Sequence, residues 1–285
     1  MKKEIIKKEY SKELQLAIDK FRDFVMSGKY FEKTESKKNV EAAKAELKNL
    51  LINSEERYHV FKKHGMVAKF VPRAIKETDH RGLIEEILCY IRSEALSRVI
   101  TFNKEKMEND GVSNVIVPYQ YPVSYFVRPS LNKQGKSFNF TLKENFQGEN
   151  IDNLLAAIKH YSNLEKSREE EYKECMSEIL AFMDKDMFKV VTDIGSISKI
   201  PKDPDYNVYQ LIEELGEDFV LNYGEVRLTE LEQWINIGAL PENITSEYQT
   251  VVDIRLDFFV MTLESEQKMF EALNIKRQKS RRYTA

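Results

Sequence analysis

Apolar residues recur at helical spacing along most of this chain, and the spacing fails most clearly at one place, residues 114–131, NVIVPYQYPVSYFVRPSL. Pro118, Pro122 and Pro129 each remove a backbone donor, so this run cannot serve as a central strand and is expected at an edge or as a broken strand. Helical spacing on either side of it predicts an α+β protein that is predominantly α-helical. The expected form is a helical bundle with a small antiparallel β insertion around 114–146.

N-terminal to the break, Ile6, Tyr10, Leu14, Ala17, Phe21 and Phe24 mark one helix, and Val40, Ala43, Leu47, Leu50 and Leu51 mark a second. Ser54 reads as the N-cap of a short helix through Tyr58 and Phe61. Asp79 opens a helix whose stripe runs through Leu83, Ile84, Ile87, Leu88 and Ile91 to Ile100. These helices are expected to form one bundle, over residues 1–112.

The next expected region, 113–194, holds the β insertion and a helical hairpin. Alternation at Ser137–Leu142 predicts a strand, which NKQG at 132–135 would turn back onto 123–127. Asn150 caps a helix, helical spacing resumes at Tyr172, and a strand is expected at Phe188–Thr192. GSISKIPKDPD, 195–205, reads as a linker to a mostly helical region, 205–285. There Asp205 is expected to cap a helix, and Thr229 with Glu232 fits a capping box ahead of Trp234. A long final helix is expected over 246–273, with strand as the alternative where Val252, Ile254, Leu256, Phe258 and Val260 alternate.

Few motifs for chemistry are present. GKS at 135–137 lacks the first glycine of a phosphate-binding loop, since Ser130 stands there. Asp203, Asp205, Asn207 and Glu214 occupy calcium-loop positions 1, 3, 5 and 12. Val208 replaces the glycine of the sharp turn, so these are weak metal candidates. Asp253 and Asp257, four apart, would share a helix face and suit Mg²⁺ only with a second acidic helix. The four histidines lack ligand spacing, and neither Cys89 nor Cys175 has a readable histidine partner. No catalytic residue and no cofactor is assigned, and a metal-dependent hydrolase is the remotest alternative.

Charge patterning is more informative. The net charge is -3, with 32% charged residues of both signs well mixed, as on solvated helix faces. Residues 203–232 hold nine acids against one base, Arg227, whereas Lys276, Arg277, Lys279, Arg281 and Arg282 make an acid-free basic run. That run could touch nucleic-acid phosphates. Tyr119, Tyr121, Tyr125, Phe126 and Arg128 are of the types enriched in binding hot spots, and are taken as a partner-binding surface.

The reading that follows is a non-enzymatic module that occupies or bridges a protein partner's surface. One concrete form is a phage- or mobile-element-encoded inhibitor of a bacterial defence complex. A nucleic-acid-associated protein using the basic run is the alternative, and a homo-oligomer fits either. Neither a secretory leader nor an apolar run of roughly 20 residues is visible, so no membrane is expected and the cytoplasm (of the host, if phage-encoded) is the expected compartment.

Overall fold

The computed structural model describes residues 10–91, 95–141 and 143–283, with side chains through Ile275. Helix accounts for 54% of the structure and strand for 22%, the latter in small antiparallel sheets, so the fold is mixed α+β with helix dominant. No helix among the described residues is long and apolar enough to cross a membrane. The chain forms two compact units, each assembled from two separate stretches: 1–55 with 124–202, and 56–123 with 203–285.

In the first unit, α1 (Lys12–Met26) and α2 (Lys29–Leu51) pack against the long α7 (Ile151–Phe182). Leu14, Ala17, Ile18, Phe21 and Val25 recur every three to four residues along α1, and they bury against Cys175, Met176 and Ile179 of α7. Lys29–Glu171 at 2.8 Å, Lys33–Glu169 at 3.1 Å and Arg168–Glu32 at 2.7 Å stitch α2 to α7. Burial alone would raise the Glu171 pKa, but hydrogen bonds from Lys29 and Arg168 outweigh it and hold the carboxyl below its ordinary value. α1 and α2 thus find their partner in α7 rather than in the Asp79 helix expected from the sequence.

The sheet of this unit has the order β4–β6–β5, all antiparallel, from β4 (Tyr125–Leu131), β5 (Lys189–Thr192) and β6 (Gly195–Pro201). Two expectations are corrected here. The segment read as a linker, 195–201, is the central strand, and NKQG is a helical turn, α6 (Lys133–Lys136), capped by Asn132. The described residues of 137–142 form no strand, and β4 pairs with β6 instead. Pro129 sits within β4, whose other edge is unpaired among the described residues. Gly195, at φ +153°, begins β6 where a Cβ would lie 2.3 Å from the Ser130 carbonyl oxygen, so only glycine fits.

The second unit has a helical core. It gathers α3 (His80–Tyr90), α4 (Leu96–Val99), α5 (Lys104–Asn109), α8 (Val208–Leu215), α9 (Glu217–Tyr223) and α10 (Leu228–Asn236) around Leu83, Ile84, Ile87, Val99, Leu211, Val220 and Leu231. A short ladder of β3 (Ile100–Phe102) with β7 (Gly224–Val226) crosses it. His80 Nδ1 accepts the Val226 N–H at 3.0 Å, a structural role.

The unit's other sheet is β1 (Tyr58–Phe61), β2 (Met66–Thr78) and β8 (Gln249–Thr262), in that order. The helix expected through Tyr58 is therefore a strand, stabilised by pairing with Met66–Lys69 that lies outside the local pattern. The long helix expected over 246–273 is instead one turn, α11 (Ile244–Glu247), then β8, and only then α12 (Leu263–Tyr283). The alternation at 252–260 prevails because β2 supplies a partner along its whole length.

Candidate functional site

The second unit carries an open cleft of about 510 Å³ lined by Ala95, Ser97, Arg98, Tyr121, Asp205 and Trp234. Four segments meet there, and hydrogen bonds fix each. The chain at 119–121 runs antiparallel to 205–207: the Tyr121 N–H donates to the Asp205 carbonyl at 2.9 Å, and the Asn207 N–H donates to the Tyr119 carbonyl at 2.8 Å. The Ser97 hydroxyl accepts the Val208 N–H at 3.2 Å, tying α4 to the start of α8. The Arg227 N–H donates to the Val99 carbonyl at 2.7 Å, placing α10, and with it Trp234, against α4.

The electrostatics of the cleft are unequal. Asp205 is paired with Arg227 at 2.7 Å. Arg98 projects from the first wall, exposed, with no ion pair or hydrogen bond to its guanidinium among the described residues. Tyr121 and Trp234 are half-buried, and their hydroxyl and indole N–H likewise have no protein partner there. Among the described residues the cleft therefore combines one cation without a counter-charge, two aromatic walls and two polar ends. Such a set suits an anionic group attached to a flat or apolar body.

The residues singled out from the sequence distribute as follows. Tyr119 is buried, and its hydroxyl donates to Glu214 at 2.8 Å, a bond that raises the tyrosine pKa. Tyr121 lines the cleft. Tyr125, Phe126 and Arg128 belong to the other unit, on β4. There Tyr125 packs edge-on against Phe188 with ring centres 6.3 Å apart, while Phe126 and Arg128 point outward on either side of the buried Val127. The basic residues Lys276, Arg277, Lys279, Arg281 and Arg282 fall within α12, but their side chains lie outside those described.

The weak metal candidates have other engagements. Asp203 pairs with Lys104, which lowers its pKa, and Asp205 pairs with Arg227. Asn207 caps α8 through the Gln210 N–H at 3.2 Å, and Glu214 accepts from Gln210 and Tyr119. Helix from Val208 onward prevents the loop from wrapping an ion. Among the described residues, no group of three or more His, Cys, Asp or Glu is placed to hold a metal. Asp253 and Asp257 stand on β8 rather than on a helix, and Asp257 is bonded to Arg255 at 2.8 Å.

Arg98 and Trp234 are absent from the set picked out of the sequence. The one signal for the latter was that it is the chain's sole tryptophan. The chain matches no protein-family model, no curated protein and no solved structure.

Proposed function

We propose that this protein is a non-enzymatic binding module whose cleft docks a segment of a protein partner bearing a carboxylate next to an apolar or aromatic side chain. One observation carries the reading: the sole Trp, Tyr121 and Arg98, which has no partner among the described residues, converge on one open cleft. Trp, Tyr and Arg are the residues most enriched where interface energy concentrates. A carboxylate supplies the charge Arg98 lacks, in the planar geometry that guanidinium matches. The volume of about 510 Å³ suits one anchor side chain with its flanking backbone, and the openness of the cleft suits a continuing chain better than an enclosed small molecule.

Trp234 reports directly on occupancy. The full chain is titrated with an array of short peptides in which Asp or Glu flanks Phe, Trp-free Leu or Met, together with their Asn and Gln counterparts. Acidic peptides are expected to change the Trp234 emission, their amide counterparts are expected to be at least tenfold weaker, and Arg98→Glu is expected to abolish the response. Equal responses to acid and amide peptides, or an unchanged response in Arg98→Glu, would refute the reading.

A further inference from the structure

We infer that β8 is a dimerisation edge, pairing antiparallel with β8 of a second copy about a two-fold axis at Ile254. β8 is the outer strand of its sheet, 14 residues long and without proline, and no described strand pairs with its free side. Its neighbour β2 is different: Pro72 interrupts the edge that β1 leaves uncovered beyond Lys69. The register with β2 shifts between Ile75 and Lys76, leaving Val252 without a β2 partner, and from Asp253 to Thr262 the edge is regular and unblocked, a template for another strand.

The register of β2 with β8 sorts the two faces of the ribbon. Val71↔Asp257, Arg73↔Arg255 and Ile75↔Asp253 share one face, and Phe70↔Phe258, Pro72↔Leu256 and Ala74↔Ile254 share the other. The second face is wholly apolar there, yet it is open: Ile254 is 66% exposed and Leu256 42%, and Val252, at the register shift, is 54% exposed. A strand face of this kind is covered in a stable sheet.

Charge identifies the occupant as a second copy. The stretch Val252–Asp253–Ile254–Arg255–Leu256 is nearly self-complementary when run against itself. An antiparallel two-fold at Ile254 sets Asp253 opposite the second copy's Arg255, twice, and Val252 opposite its Leu256, twice. Asp253 has no cation partner among the described residues; its carboxylate only accepts the Ile254 N–H at 2.7 Å. Parallel in-register pairing sets Asp on Asp and Arg on Arg, which is repulsive. An axis at Leu256 sets Arg255 on Asp257, a pair each chain already makes within itself, and leaves Asp253 without a cation. About Ile254, the Arg255 guanidinium, which bonds Asp257 of its own chain at 2.8 Å, bridges that carboxylate to the second copy's Asp253. The Ile254 axis thus supplies the missing charge and joins the two apolar faces into one six-stranded sheet.

The test is sedimentation of the full chain over micromolar concentrations, with circular dichroism as a check on folding. The wild type is expected to double in mass with concentration, and Arg255→Glu to remain a monomer. Asp253→Arg/Arg255→Glu is expected to dimerise again, because the swap restores both pairs about Ile254 and opposes like charges about Leu256. In a Cys89→Ser background, Ile254→Cys is expected to form a disulfide dimer on mild oxidation, since residues on the axis face themselves. A wild type that stays monomeric, an Arg255→Glu variant that dimerises as well as the wild type, or a swap that fails to restore the dimer would overturn the inference.

Discussion

Glu266, at the start of α12, is 4% exposed and bonded to two residues of the β1–β2–β8 sheet: Lys69 Nζ at 2.5 Å and Tyr58 Oη at 2.6 Å. The Lys69 side chain is 12% exposed and lies 5.3 Å from the centre of the Phe270 ring. Changing Glu266→Leu leaves that ammonium without a counter-charge under a helix. Breaking a buried pair from one side costs about 3–5 kcal/mol. The lysine stem can bend its head toward water, which favours the lower end of that range. For a unit of roughly 150 residues, about 3 kcal/mol corresponds to a Tm lower by roughly 6–12 °C. Lys69→Met is expected to cost a similar amount, because the carboxylate is then the orphan. Combining the two replaces the pair by apolar groups of like size and is expected to return stability to within about 1 kcal/mol of wild type, a coupling of several kcal/mol between adjacent sites. Urea denaturation of the four proteins measures the cycle. Pairing with Lys69, then with Tyr58, lowers the Glu266 pKa, so its contribution is full above the ordinary carboxylate range and disappears as pH falls through the depressed value. Additive single changes, or a double variant as weak as their sum, would refute the assignment of this pair as the clamp between α12 and the sheet.

Two further outcomes follow, one from glycine geometry and one from burial. Gly195→Ala is expected to lose on the order of 2–4 kcal/mol in urea denaturation, since its Cβ must displace the Ser130 backbone, whereas Gly111→Ala, with open space around it, is expected to lose only about 1. Burial pushes the Tyr172 hydroxyl up to about 12, so the stability it confers is complete below the ordinary tyrosine range near 10 and is lost as pH rises through about 12. Tyr172→Phe should therefore remove one late step from the tyrosinate absorbance titration and flatten the alkaline loss of stability.

What local chemistry governs was legible in the sequence. Asp79 and Asn150 cap α3 and α7 by accepting the Gly82 and Asn153 N–H groups at 3.1 and 2.9 Å, bonds that span three residues and need nothing from elsewhere. The Leu83, Ile84, Ile87 stripe follows the same logic. What distant partners govern was not. Tyr58–Phe61 becomes a strand through Met66–Lys69, and 195–201 becomes a central strand between 125–131 and 189–192, pairings that periodicity in one segment does not announce. Thr229 and Glu232 looked like a capping box, yet α10 begins at Leu228 after Arg227, whose side chain makes no capping bond. The cleft was half visible. Tyr121 and Asp205 stand out in the sequence as a hot-spot type and a calcium-loop position, while Arg98 and Trp234 come from stretches that nothing local connects to them.

The division of each unit between two stretches of chain bears on synthesis. α1 and α2 expose Leu14, Ile18, Phe21, Val40 and Leu47 until α7 arrives to cover them, and α7 begins only at Ile151. At about 5–20 residues per second, the roughly 100 residues between α2 and α7 take some 5–20 s to emerge. For that interval residues 12–51 offer an amphipathic hairpin with nothing of their own unit to close on. Newly made chains are then at their stickiest, and a holdase that grips apolar helices has its longest opportunity to bind.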